Sequence, residues 1–155
     1  MTRNNRIAIL TLTIIMLVGT LTHSIVFYLM NIRWPIVNGS MVVLEPEFFD
    51  ARIGMRSFAE TFNGVCLAIF FIGGMIVIYS FARNGPIVSL KKMSLFFLSI
   101  LFALLACTVP FAVMDHAFWV DYLFPLWSAT GNLVTFFVII LLVNIGKHSR
   151  SIKQY

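Results

Sequence analysis

The stretch Arg56-Ser57-Phe58-Ala59-Glu60-Thr61-Phe62-Asn63-Gly64 sets a guanidinium, a carboxylate and an amide at the head of an apolar run that continues to Ala82. On a helical repeat, positions 56, 60, 63, 64 and 67 share one face. A charge at the edge of a hydrocarbon layer has to be paired or turned into a bundle. This face is therefore expected to look inward and to carry Arg56, Glu60 and Asn63 with it. Phe58, Phe62, Ile69 and Phe70 are left for lipid. A run of this length and apolarity is a membrane span, and it decides the fold.

Composition agrees. The 155 residues are 60% hydrophobic and 11% charged, against roughly 25% charged in soluble domains. The net charge of +5 does not point to nucleic acid, because the basic residues sit at the ends of apolar runs and not along one amphipathic face. Cys66 and Cys107 both lie inside apolar runs and form no CxxC pair. They are expected to be free thiols that pack as small apolar groups. The first apolar run is too long for the core of a cleaved signal, and no small-x-small site follows it. It is expected to stay as an anchor.

Four such runs predict an all-α membrane protein, with helices at about 7–30, 57–82, 93–114 and 122–145 in one up-down transmembrane bundle over residues 1–155. In the first helix Thr13, Met16, Thr20, His23, Ser24 and Phe27 follow a three-four spacing, so one stripe is less lipid-like. In the second, Gly64 with Ala68 and the pair Gly73-Gly74 offer close helix approach. Arg83-Asn84-Gly85-Pro86 ends that helix. Pro110 is expected to kink the third helix, and Pro125 to sit in the first turn of the fourth, where proline is tolerated. The longest connection, 31–56, is read as an outer loop. It carries Trp34, Val42, Leu44, Phe48 and Phe49 among its charges, so it is expected to fold back on the bundle or rest in the interface.

Counting Lys and Arg by side gives the orientation. Arg3, Arg6, Arg83, Lys91, Lys92, Lys147, Arg150 and Lys153 share the side of both termini, and Arg33, Arg52 and Arg56 the other. The positive-inside rule then puts both termini in the cytoplasm, and Trp34, Trp119, Tyr122 and Trp127 at the outer interface. At ~1.5 Å per residue, His23, Glu60 and Asn63 lie roughly 5–13 Å in from the outer end and Asn132 ~15 Å in. Asp115 and His116 lie at the mouth. The polar groups thus gather in the outer half of the bundle.

Each has an ordinary structural use. Glu60 can pair with Arg56 one turn earlier, His23 can bond a neighbouring helix, and Asn63 and Asn132 can join helices. Taken together, His23, Arg56, Glu60, Asn63, Asp115, His116 and Asn132 form the candidate ligand site. His23, Glu60 and His116 are suitable metal-ligand types but lack a spacing motif. A haem between His23 and His116 is disfavoured by depths that differ by ~10 Å. The chain has no serine elbow, HExxH or CxxC. No cofactor or metal is assigned and no catalytic residue is named.

The pattern Arg56-Ser57-Phe58-x-Glu60-x-Phe62-x-Gly64, with Phe49-Asp50 preceding it, resembles a family of small, uncharacterised bacterial four-helix integral membrane proteins. Their second helix opens with Arg-Ser-aromatic-x-acid-x-aromatic-x-Gly, and their first carries a histidine near its outer end. Gly19, His23 and Trp34-Pro35 fit that arrangement, and the similarity covers roughly residues 17–70. The resemblance implies a multi-pass bundle in the bacterial inner membrane and no established activity.

The leading expectation is a non-catalytic protein of the lipid bilayer. It would hold a small or lipid-like ligand, or a partner helix, in an outer-leaflet pocket. The alternative is a transporter or channel subunit that works as a homo-oligomer or with a partner membrane subunit, with Glu60 in the path. A membrane enzyme or redox or metal protein is third. The orientation is directly testable. A phosphatase reporter that is active only outside the cytoplasm, fused after Tyr155, should be silent, and an active fusion reverses the assignment.

Overall fold

The computed structural model describes residues 3–33, 36–37, 40–41, 46–84, 88–115 and 119–152. They form four helices, α1 (Arg3–Arg33), α2 (Pro46–Asn84), α3 (Leu90–Met114) and α4 (Trp119–Ile152), each long and apolar enough to cross a membrane. Between α1 and α2 a short ladder pairs β1 (Ile36–Val37) antiparallel to β2 (Ser40–Met41), with Ile36 opposite Met41. The chain is the all-α four-helix bundle that its hydropathy predicts.

Named contacts fix the direction of each helix. Along α1 and α2, Arg52 donates to Asn31, Arg56 lies over the Phe27 ring, Gly19 backs onto Cys66, Gly73 onto Leu12, and Ser80 donates to Asn5. The two helices are therefore antiparallel. Tyr28 meets Phe111 edge-on at 5.7 Å between ring centres, so α3 runs with α1. Phe97 meets Phe137 at 4.8 Å, and Asn144 accepts from Val88 N–H and donates to its carbonyl, so α4 runs against α3. Lys147 Nζ donates to the Phe81 carbonyl, which brings the last turns of α2 and α4 together. One end of the bundle thus collects the close of α1, the start of α2, the close of α3 and the start of α4. The other end collects the opposite four.

The core follows from small and apolar residues at helical spacing. Met16, Phe70, Ile100, Leu104, Ala129 and Leu133 form a buried cluster drawn from all four helices. Phe27, Met30, Ala59 and Tyr122 form a second. The stripe Thr13, Met16, Thr20, His23, Ser24 and Phe27 is the buried face of α1. Its hydroxyls cost little there, because Thr13, Thr20 and Ser24 each donate to the carbonyl one turn back. Ile72, Ile76, Tyr79, Phe102, Phe124 and Trp127 point outward. A surface this apolar requires hydrocarbon as its solvent.

Three expectations change. First, α2 begins at Pro46, so residues 46–56 are helix and not part of a loop. Proline suits a first helical turn. The uncharged part of α2, residues 61–82, is ~33 Å long at 1.5 Å per residue, close to the ~30 Å of a hydrocarbon core. The charged turns before it extend beyond that layer. Trp34, Val42, Leu44 and the side chains of Phe48 and Phe49 lie outside the described residues, and so does any lid they form.

Second, the inward face of α2 is Ala59, Asn63, Cys66, Phe70, Gly74, Val77 and Phe81, with Leu67 packed at its edge, and positions 56, 60 and 64 of the expected stripe are exposed. Phe70 is core, and Arg56 and Glu60 are exposed on the flank. Packing of small and apolar groups sets the seam, and the charges, near the end of the apolar stretch, sit beside it. Third, Pro125 lies in the second turn of α4 and is buried. It leaves the Asp121 carbonyl without its usual amide donor.

Glycines separate the two seams experimentally. A Cβ at Gly19 would lie 2.6 Å from Cys66 Cβ, whereas one at Gly64 would meet nothing within 4 Å. Gly19→Ala should therefore lower stability by about 1–3 kcal/mol through overpacking, while Gly64→Ala should be neutral or mildly stabilising. Thermal unfolding of the two variants in detergent checks this, and the reverse order would refute the seam.

Candidate functional site

Polar groups at the end formed by the close of α1 and the start of α2 make one continuous chain. Arg52 Nη2 donates to Asn31 Oδ1 at 3.0 Å. Asn31 Nδ2 donates to Asp115 Oδ2 at 2.5 Å. Tyr122 O–H donates to the same oxygen at 2.7 Å. Four residues from α1, α2, the cap of α3 and α4 are thereby tied in sequence. Arg52, Asn31 and Tyr122 are all buried, where an unpaired polar group would be costly. Arg52 also sits in the field of Asp115 and Asp121, so its charge is matched by carboxylates on α3 and α4.

Of the candidate residues, Asp115 belongs to this chain. Arg56 and Glu60 form a separate pair, Nε to Oε1 at 2.8 Å, on the outer flank of α2. Glu60 keeps 47% of its side chain exposed, so it does not face the bundle interior as its spacing suggested. His23 is buried, stacked on Phe27 at 4.2 Å between ring centres, and lies in the field of Glu60 and Arg56. Asn63 is buried beside Gly19, one turn of α1 from His23. Among the described residues, His23 Nδ1 and Asn63 Oδ1 are buried atoms without a hydrogen-bond partner. Either imidazole nitrogen can carry the proton and the amide oxygen accepts one, so the two are chemically complementary across the α1–α2 seam. Asn132 donates to Ser128 of its own helix at 2.9 Å and takes no part in the cluster. His116 lies outside the described residues. Among those described, no three His, Cys, Asp or Glu side chains are placed to hold a metal ion.

The sequence reading missed Asn31, Arg52 and Tyr122. Asn31 continues the buried stripe of α1 one turn past Phe27, and Arg52 stands one turn before Arg56. Both were legible only once those turns were recognised as helix.

A cavity lies elsewhere in the bundle. A cavity of about 730 Å³ opens at the far end of the bundle, within the usual ~300–1,000 Å³ of small-molecule sites. Its floor is Phe70, Val77, Ile100 and Leu133, all buried. All four helices line it, and Arg6 of α1 and Lys92 of α3 stand at its rim. Leu10 and Phe96, which also line it, are exposed on the same two helices. The opening therefore lies laterally, between α1 and α3. These helices meet through Tyr28–Phe111 and Asn31–Asp115 at one end and leave the cavity between them at the other. This apolar cavity lies at the end opposite the polar chain of Arg52, Asn31, Asp115 and Tyr122.

Comparison of the chain with protein-family models, with curated proteins and with solved structures found no match.

The two polar groupings predict different costs. Tyr122→Phe should destabilise by about 1–2 kcal/mol and Asp115→Ala by about 2–4 kcal/mol, since the second strips two donors of a charged acceptor. Glu60→Gln should cost at most about 1 kcal/mol, as for an exposed ion pair. Denaturant titration of the three variants tests the ranking, and a Glu60→Gln effect as large as that of Asp115→Ala would contradict it.

Proposed function

We propose that this multi-pass membrane protein is a non-catalytic binder of an amphiphile, whose hydrocarbon part occupies the cavity between its four helices. The observation that carries the reading is the lateral cavity itself, floored by Phe70, Val77, Ile100 and Leu133 and open to the bilayer between α1 and α3. An apolar void in a protein solvated by lipid selects hydrocarbon over water. The few polar groups at its rim can orient a ligand but offer no acid, base or nucleophile in a reactive arrangement.

The setting in this proposal is a bacterial inner membrane with both termini cytoplasmic, supported by the family resemblance and the distribution of Lys and Arg. The cavity then opens in the cytoplasmic leaflet. The Arg56–Glu60 pair, exposed on the flank of α2, gives no support to a proton path through the centre of a single bundle.

Filling the cavity tests the proposal. Wild-type protein purified in a mild detergent should retain about one lipid-like molecule per chain, measured by mass spectrometry of the intact complex. Val77→Phe and Ile100→Phe place new rings in the cavity from two different helices. Both should lose that molecule while keeping the helical circular-dichroism spectrum of the wild type. Undiminished retention in both folded variants would refute the proposal.

A further inference from the structure

We infer that the cavity takes an anionic phospholipid, its phosphate held at the rim by Arg6 and Lys92 and its acyl chains lying on the apolar floor. The inference rests on the proposed binding role and adds the chemical class of the ligand.

Three observations carry it. Arg6 and Lys92 come from different helices, α1 and α3, and flank the same lateral opening. Both side chains are exposed, and among the described residues neither makes an ion pair. Two cations on opposite sides of an opening favour a group that can accept from both, and a phosphodiester does so. Ser89, on the α3 side of the rim, adds a hydroxyl donor beside them.

Charge over the whole bundle points the same way. The chain has six Asp and Glu residues, Glu45, Glu47, Asp50, Glu60, Asp115 and Asp121. All fall between α1 and α2, in the first half of α2, or between α3 and the first turn of α4. None falls at the end that bears the cavity, where Arg3, Arg6, Arg83, Lys91, Lys92 and Lys147 stand. With no Asp or Glu side chain there to compete, an anion is the natural neutralising group. It has to belong to a lipid and not to free phosphate, because the floor below the rim is buried hydrocarbon side chain from α2, α3 and α4.

The expected selectivity follows from the two rim cations. Each basic residue near a surface adds ~1 kcal/mol of attraction to anionic lipid, so removing both should reduce the preference roughly ten- to thirty-fold.

The test uses the full chain reconstituted in vesicles of phosphatidylcholine and phosphatidylglycerol in equal amounts, re-extracted in mild detergent, with retained lipid quantified by headgroup. Wild type should retain phosphatidylglycerol in large excess. Arg6→Gln with Lys92→Gln should retain the same total with little headgroup preference. Arg83→Gln with Lys91→Gln removes the same charge from the same end but from residues that do not line the cavity, and it should keep the wild-type preference. Loss of preference in this control to the same degree as in the rim variant would reduce the effect to general surface charge and overturn the inference. Equal retention of both lipids by wild type, with loss of both in Val77→Phe, would overturn the anionic headgroup and leave the cavity reading standing. Unchanged retention in folded Val77→Phe would remove the cavity reading itself. Inorganic phosphate in the extraction buffer serves as the competitor: it should not displace the lipid, and full displacement would show a free-anion site instead.

Discussion

The hydrogen-bonded chain from Arg52 through Asn31 and Asp115 to Tyr122 is the interaction on which the rest of the bundle depends. Hydrocarbon gives helices no hydrophobic reason to associate, so packing and polar contacts must hold them. This chain takes one residue from each helix or its cap and buries three of them. Breaking a link costs a bond to a charged group at a buried or part-buried site. The constraint also sets the direction of every helix, because the polar groups can meet only if α1 and α3 end where α2 and α4 begin.

The opposite end is built on the other principle. Arg3, Arg6, Arg83, Lys91 and Lys92 share it with no Asp or Glu in the sequence of that end, and like charges do not draw helices together. Local ties remain, between Asn144 and the Val88 backbone and between Lys147 and the Phe81 carbonyl. They join α4 to α3 and α2 and leave α1 and α3 apart above the apolar floor. A bundle pinned at its acidic end and parted at its basic end has room for the proposed ligand in its cavity. That ligand would have an apolar body and a negative head.

Much of the fold was legible because four uncharged runs of spanning length admit few arrangements. The buried stripe of α1 was legible too, since Thr13, Thr20, His23 and Ser24 mark it chemically. The face of α2 was misread because Arg56 and Glu60 drew attention to themselves, whereas packing is set by Ala59, Cys66, Phe70 and Gly74. Gly19, which lets Cys66 approach, looks in sequence like any membrane glycine. The polar tie was hidden because Asn31 and Arg52 sit in turns that hydropathy assigns to a loop. The cavity has no sequence signature at all, being a space between helices and not a property of any one of them. Only its rim is visible in the sequence, as two basic residues among several.

Photochemical labelling with a phosphatidylglycerol that bears a diazirine in its acyl chain tests the account most directly. In reconstituted protein the label should concentrate on the cavity floor and walls, Ile100, Leu133, Phe97 and Phe136, and spare the equally apolar outer surface at Phe102 and Trp127. Labelling spread evenly over those exposed faces, with no excess at the floor, would contradict the claim that this bundle holds a lipid between its helices.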